Sequence, residues 1–150
     1  MAEFKNLSAL LNPQSVAIVG ASPKAGWPAR LWANLKHVGY PGRVYPVNPN
    51  YETMWGVKCY RSLDELPEVV DHAVIIIPAD RVIELLRNSP RPLFRSATVY
   101  SGGFGEGGDA EGLKRKEFLR AYAREKDVRF CDGPHRRAGG QRPSLRRCLR

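Results

Sequence analysis

A chain of 150 residues has room for one domain with a proper core, and 43% hydrophobic against 26% charged residues is a globular balance, not a fibrous or disordered one. The net charge of +9 suggests nucleic acid only until it is located. Six arginines fall between His135 and Arg150 with no acid among them, and the body lacks a basic patch interleaved with aromatics. Cys59, Cys131 and Cys148 are widely spaced, odd in number and form no C-x-x-C pair, so neither a disulfide framework nor a structural zinc site is indicated, and reduced thiols in a cytoplasmic protein are expected. The apolar run at the N-terminus is too short for a signal peptide and no stretch is long enough to cross a bilayer, which disfavours secretion and membrane insertion.

In chain order, Phe4, Leu7, Leu10 and Leu11 have helical spacing that stops at Asn12-Pro13, predicting a short helix that caps one end of a sheet. Val16-Ala17-Ile18-Val19 is an unbroken apolar run ended by Gly20, the pattern of a central strand buried on both faces. Gly20, Ala21, Ser22 and Gly26 supply small side chains where the chain must turn, and Pro28 suits the first turn of a following helix. Leu31, Trp32, Leu35 and Val38 mark the buried side of that helix, which Gly39 ends, and Trp32 reads as core. A second strand, Arg43 to Val47, is broken by Asn48-Pro49-Asn50, with Pro46 expected near its end because it gives up a ladder donor.

Val57 to Tyr60 reads as a short edge strand, and Ser62 to Leu66 as a short helix begun by Ser62 and stopped by Pro67. Ala73 to Ile77 is the strongest strand, with His72 at its edge and Pro78 ending it, followed by a helix carrying Val82, Ile83, Leu85 and Leu86 and capped by Asp80. Ala97 to Tyr100 is the next strand and runs into the glycine-rich Ser101 to Gly108. A helix marked by Leu113, Phe118, Leu119 and Tyr122 and a last strand, Val128 to Cys131, complete the body. Strand alternating with helix predicts an α/β fold, a Rossmann-like doubly wound parallel sheet in three layers and a single domain.

In such a sheet, ligands bind beyond the carboxyl ends of the strands where strand order reverses, which for the order 3-2-1-4-5-6 lies between the Val16 and Ala73 strands. The loop from Gly20 to Gly26 gathers backbone N–H groups and a helix N-terminus at one spot, and Lys24 adds a mobile cation; together they suit a phosphate, the plainer alternative being a tight connection that binds nothing. The dinucleotide signature G-x-G-x-x-G is absent, the second strand ends in Val47-Asn48 with no acid for a ribose, and no P-loop is present. An adenine nucleotide with phosphates remains open.

L-L-N-P-Q-S-V-A-I-V-G-A-S-P-K, V-Y-P-V-N-P-N-Y, G-V-K-C-Y-R-S-L-D-E-L-P, V-D-H-A-V-I-I-I-P-A and S-G-G-F-G-E, in that order from about Leu10 to Pro134, resemble the CoA-binding domain of NDP-forming acyl-CoA synthetases, relatives of the succinyl-CoA synthetase alpha subunit. The resemblance implies a Rossmann-like domain that holds coenzyme A along the strand ends. Gly20, Ala21, Ser22 and Lys24 match the loop near the CoA phosphates, Val47, Asn48 and Pro49 the adenosine-side turn, Pro78 and Ala79 the segment beside the nucleotide, and Ser101 and Gly102 the loop facing the pantetheine end. It implies a ligase whose remaining domains or subunit are partners, and no catalytic residue in this chain: the second domain with the phosphorylated histidine and the ATP-grasp part are not here, and His37, His72 and His135 do not match that histidine. Cys131, with no positioned base, reads as a small buried residue.

The family continues into G-P-N-C-x-G, whereas Gly133-Pro134 is followed by His135-Arg136-Arg137, with an extra Asp132 ahead of it. Residues 1–134 are therefore expected to form the CoA-binding domain and 135–150 a poorly ordered basic tail whose Arg, Gly and Pro bias is what a GC-rich gene yields when read out of frame. The other reading of the whole is an NAD(P)-binding or nucleotide-binding regulatory Rossmann protein. The chain alone is expected to bind without turnover.

Overall fold

The computed structural model describes residues 7–24, 26–89 and 91–132, so Phe4, the boundary at 134 and the tail lie outside the described residues. The strand expected to be central is: β1 (Ser15–Val19) is buried at every position, with Ala17 and Val19 facing one layer and Val16 and Ile18 the other. It pairs in parallel with β2 (Arg43–Val47) on one side and with β5 (Val70–Ile75) on the other, and β6 (Phe94–Val99) and β7 (Arg129–Asp132) follow, giving the order β2-β1-β5-β6-β7. Strand order reverses between β1 and β5, as expected.

The helices divide between the two faces because each right-handed crossover lays its helix on the side toward which the chain winds. On one face α3 (Ala79–Arg87) and α4 (Ala110–Glu125) bury Val82, Leu86 and Tyr122 against Ala73, Ile75, Ala97 and Val99, joined by Leu63 from a single 3-10 turn at Leu63–Glu65. On the other, α2 (Trp27–His37) sets Leu31 and Leu35 on Val16, Ile18 and Val74, beside a hairpin of β3 (Thr53–Met54) and β4 (Val57–Lys58). A short α1 (Ser8–Leu11) packs on β5 and β6 near their starts.

Several expectations change in detail. The order has five strands, not six; the edge strand expected over Val57 to Tyr60 splits into β4 and one parallel bridge, Val47 to Tyr60. The reason lies in Pro46, whose carbonyl accepts from Tyr60 N–H at 3.0 Å and therefore faces outward, so that a full third strand would meet a position without a donor. β5 starts at Val70, which makes His72 an interior residue and not a strand-edge one. Val38 is 73% exposed because α2 ends at His37, and Trp32 stacks on Trp55 of the hairpin with centroids 5.1 Å apart. Asp80 does not cap α3, whose N-cap is Pro78; Asp80 pairs with Arg115 instead, while α4 is capped by Asp109, which accepts from Gly112 N–H at 2.6 Å. Cys131 is half-buried and not buried.

Candidate functional site

Four parallel strands deliver four loops to one edge of the sheet. The loop after β1 opens with Gly20 at φ +85°, and a Cβ there would overlap the Ile76 carbonyl of the neighbouring strand, so only glycine lets the two backbones meet. Gly20 and Ala21 N–H both point at the Val47 carbonyl (3.0 and 3.3 Å), and the Asn48 amide donates to the Ala21 carbonyl at 2.7 Å while its oxygen accepts from Asn50 N–H at 2.9 Å. The β1 loop and the β2 turn are thus one bonded unit. Ser22 Oγ accepts from Lys24 N–H at 3.3 Å, and the exposed Lys24 has no acidic partner among the described residues. Gly26 precedes α2 with no side-chain hydrogen bond capping it among the described residues, and because Pro28 has no N–H, the first turn offers the N–H groups of Trp27 and Ala29 at the positive end of the helix dipole, two residues on from Lys24 in the chain.

Across the edge, the chain after β5 passes Ile76, whose N–H bonds the Val19 carbonyl at 2.8 Å, and turns at exposed Pro78 into α3. The glycine-rich loop after β6 is less free than its composition suggests. Glu106 accepts from Gly103 and Phe104 N–H (3.0 and 2.9 Å), Arg115 donates to the Gly103 carbonyl at 3.1 Å while paired with Asp80 at 2.8 Å, and Gly105 rests on Gly112 of α4, where a Cβ would strike it. Within it the buried hydroxyl of Ser101 has no hydrogen-bond partner among the described residues, as Tyr122 Oη and Arg129 Nε elsewhere have none. A buried orphan hydroxyl is costly, which marks a place where a ligand atom would be welcome.

The residues named from the sequence divide accordingly. Gly20, Ser22, Lys24, Asn48, Pro49, Pro78, Ser101 and Gly102 reach the edge, whereas the side chains of Ala21, Val47 and Ala79 are buried, leaving only their backbone for a ligand. Asn48 spends both ends of its amide on the loops themselves. Sequence reasoning missed two rings: Trp27, the first residue of α2, and Tyr100, just past β6, meet with centroids 5.7 Å apart although they are 64% and 38% exposed. An aromatic directly after a small-residue loop was the available signal. Cys59, beneath the β2 turn, has its thiol pushed up by burial, which disfavours the thiolate form. Among the described residues no cluster of histidines, cysteines and carboxylates is placed to hold a metal.

The carboxyl edge of this Rossmann-like sheet, without the NAD fingerprint, gathers a helix N-terminus, an exposed lysine and, in Ser101, a buried hydroxyl with no partner among the described residues, groups whose chemistry suits a phosphate at one end and a polar, uncharged arm at the other. The chain belongs to the CoA binding domain family, whose model matches residues 14–133. It is 39% identical over 132 residues to a trans-feruloyl-CoA synthase of an unknown prokaryotic organism, covering 87% of this chain and 18% of that protein. It is 38% identical over 135 residues to the alpha subunit of the ADP-forming acetate–CoA ligase I of Pyrococcus furiosus, covering 87% and 29%. The dinucleotide-forming acetyl-coenzyme A synthetase 1 of Ca. Korarchaeum cryptofilum, solved with phosphate and ADP, superposes with a TM-score of 0.74 at 32% identity over 83% of this chain and 26% of that one. The chain therefore spans under a third of the length of each of these three proteins.

Proposed function

We propose that this chain binds coenzyme A along the carboxyl edge of its sheet and serves as the CoA-binding unit of an NDP-forming acyl-CoA synthetase. The observation that carries the reading is the uncapped start of α2 with Lys24 and Ser22 beside it, at the point where strand order reverses in a chain of this family. The phosphates lie against Lys24, Ser22 and the backbone of Gly20 and Ala21; exposed Pro49, with the backbone of Val47 and Asn48, borders the adenosine, Pro78 and Ala79 the nucleotide, and Ser101 and Gly102 the far end. The binding unit is residues 1–134, with 135–150 a basic tail.

The acid-activating chemistry belongs to other domains or a partner subunit, as the coverage of 18% and 29% of the ligases suggests. A cytoplasmic setting goes with that role. Calorimetric titration with CoA, ADP, NAD and NADP tests the reading: CoA binds best, and Lys24→Ala weakens it about fivefold, the loss of roughly 1 kcal/mol of charge-assisted contact. NAD or NADP binding better than CoA would sink it. Given an acid, CoA, ATP and magnesium, the chain alone forms no thioester; formation of one would place catalytic residues here after all.

A further inference from the structure

Resting on that reading, we infer that Trp27 and Tyr100 form an aromatic clasp for the uncharged arm of the ligand, and so decide between coenzyme A and plain adenine nucleotides. Trp27 stands at the start of α2, after the β1 loop, and Tyr100 follows β6; β1 and β6 are the two neighbours of β5, so the rings reach toward each other across two strand spacings, roughly 10 Å. They meet above the end of β5, whose Ile75 carbonyl accepts from Tyr100 N–H at 2.9 Å. Neither ring enters the core: at 64% and 38% exposure, most of one indole and part of one phenol are left in water, and because the rings touch each other they form one joined aromatic patch at the strand ends.

The identity of the ligand at that patch follows from what lies on either side. Toward β1 are Lys24 and the helix N-terminus, which take negative charge; toward β6 is Ser101, whose buried hydroxyl lacks a partner. A ligand anchored by phosphates at the first and satisfying the hydroxyl at the second must pass the rings. Their π faces carry negative potential and repel phosphate, but pack well on methylenes and amide N–H groups. The arm of coenzyme A between its diphosphate and its thiol is a chain of such groups, and ADP has none.

The test compares CoA with ADP on the full chain, carrying Trp27→Ala, Tyr100→Ala, Trp27→Phe or Tyr100→Phe. The alanine variants should weaken CoA about tenfold and ADP less than about twofold, an aromatic contact of ordinary strength, and the phenylalanine variants should keep most of the affinity. Trp32→Phe combined with Trp55→Phe leaves Trp27 the sole tryptophan, and CoA but not ADP should then shift its emission. Equal weakening of both ligands, or an unmoved emission with CoA bound, overturns the clasp while leaving CoA binding intact. Failure of the unaltered chain to bind CoA overturns both, and is read separately from the same titration.

Discussion

The two ends of the sheet are finished differently. At the amino end most polar groups are paired off, Arg129 Nε at the start of β7 being an exception among the described residues: Gln14 N–H bonds Asp71, Asp71 N–H bonds Ser15, Arg43 and Tyr45 both hold Glu68, and Arg43 keeps that carboxyl below its usual range. Ser96 Oγ lies 2.8 Å from His72 Nδ1 and shares its proton between the carbonyls of Asp71 (2.7 Å) and Ala9 (3.1 Å), while His72 Nε2 meets Thr98 Oγ1 at 3.0 Å. Since Ser96 donates to carbonyls, His72 carries its proton on Nδ1 and accepts from Thr98 on Nε2. At the carboxyl end the accounts are left open, with an uncapped helix, an orphan hydroxyl and two rings in water. If the carboxyl end is the ligand edge proposed above, changes at the amino end should chiefly cost stability and changes at the carboxyl end should chiefly cost binding.

The sharpest way to break this contrast is Gly20→Val, at the carboxyl edge but packed tightly enough on the Ile76 backbone to cost stability as well as binding. A side chain at φ +85° that also overlaps the Ile76 carbonyl should destabilise by about 4 kcal/mol, combining backbone strain with overpacking, and abolish CoA binding; a denaturant midpoint within a few tenths of a molar of the parent would show that the loop is not packed as described.

Next in size is acid. Burial pushes His72 down to about 4, below its unfolded value near 6.5, so its neutral form stabilises the fold fully above pH 6.5 and this contribution is lost as pH falls toward 4. The loss amounts to about 3 kcal/mol, read as the slope of unfolding free energy against pH, and His72→Asn should flatten that slope. A slope unchanged by the substitution would assign acid sensitivity to other groups.

Two serines then set the ends against each other. Ser96→Ala strips partners from a buried ring and should cost about 2 kcal/mol while leaving CoA affinity in place. Ser101→Ala removes an unsatisfied hydroxyl and should raise the stability of the ligand-free chain, by up to about 1 kcal/mol, while weakening CoA. Paired melts and titrations that gave both serines the same sign would erase the distinction between the two ends.

Much of this was legible in the sequence because its signals are local. A four-residue apolar run closed by Gly20 is too short for a helix of its own and reads as a doubly covered strand, and the small residues after it read as a loop leading to the helix that Pro28 starts. What escaped depends on register. His72 beside an apolar run looks like an edge residue until β5 pairs with β6 and brings Ser96 and Thr98 to it from 24 and 26 residues away. Trp27 and Tyr100 carry no mark in the sequence that they meet. Asp80 looked like a helix cap by residue type, yet Pro78 already supplies the extended backbone from which α3 starts, so the carboxylate was free to take Arg115.

The outward-facing Pro46 has a consequence for life at high concentration. β2 is a border of the sheet, and a bare border invites the strand of another molecule to join it and begin aggregation. An intruder aligning there finds a missing donor at Pro46 and the Tyr60 backbone already seated alongside Val47 and Asn48. The proline that prevented a third strand within this domain also denies that berth to strangers.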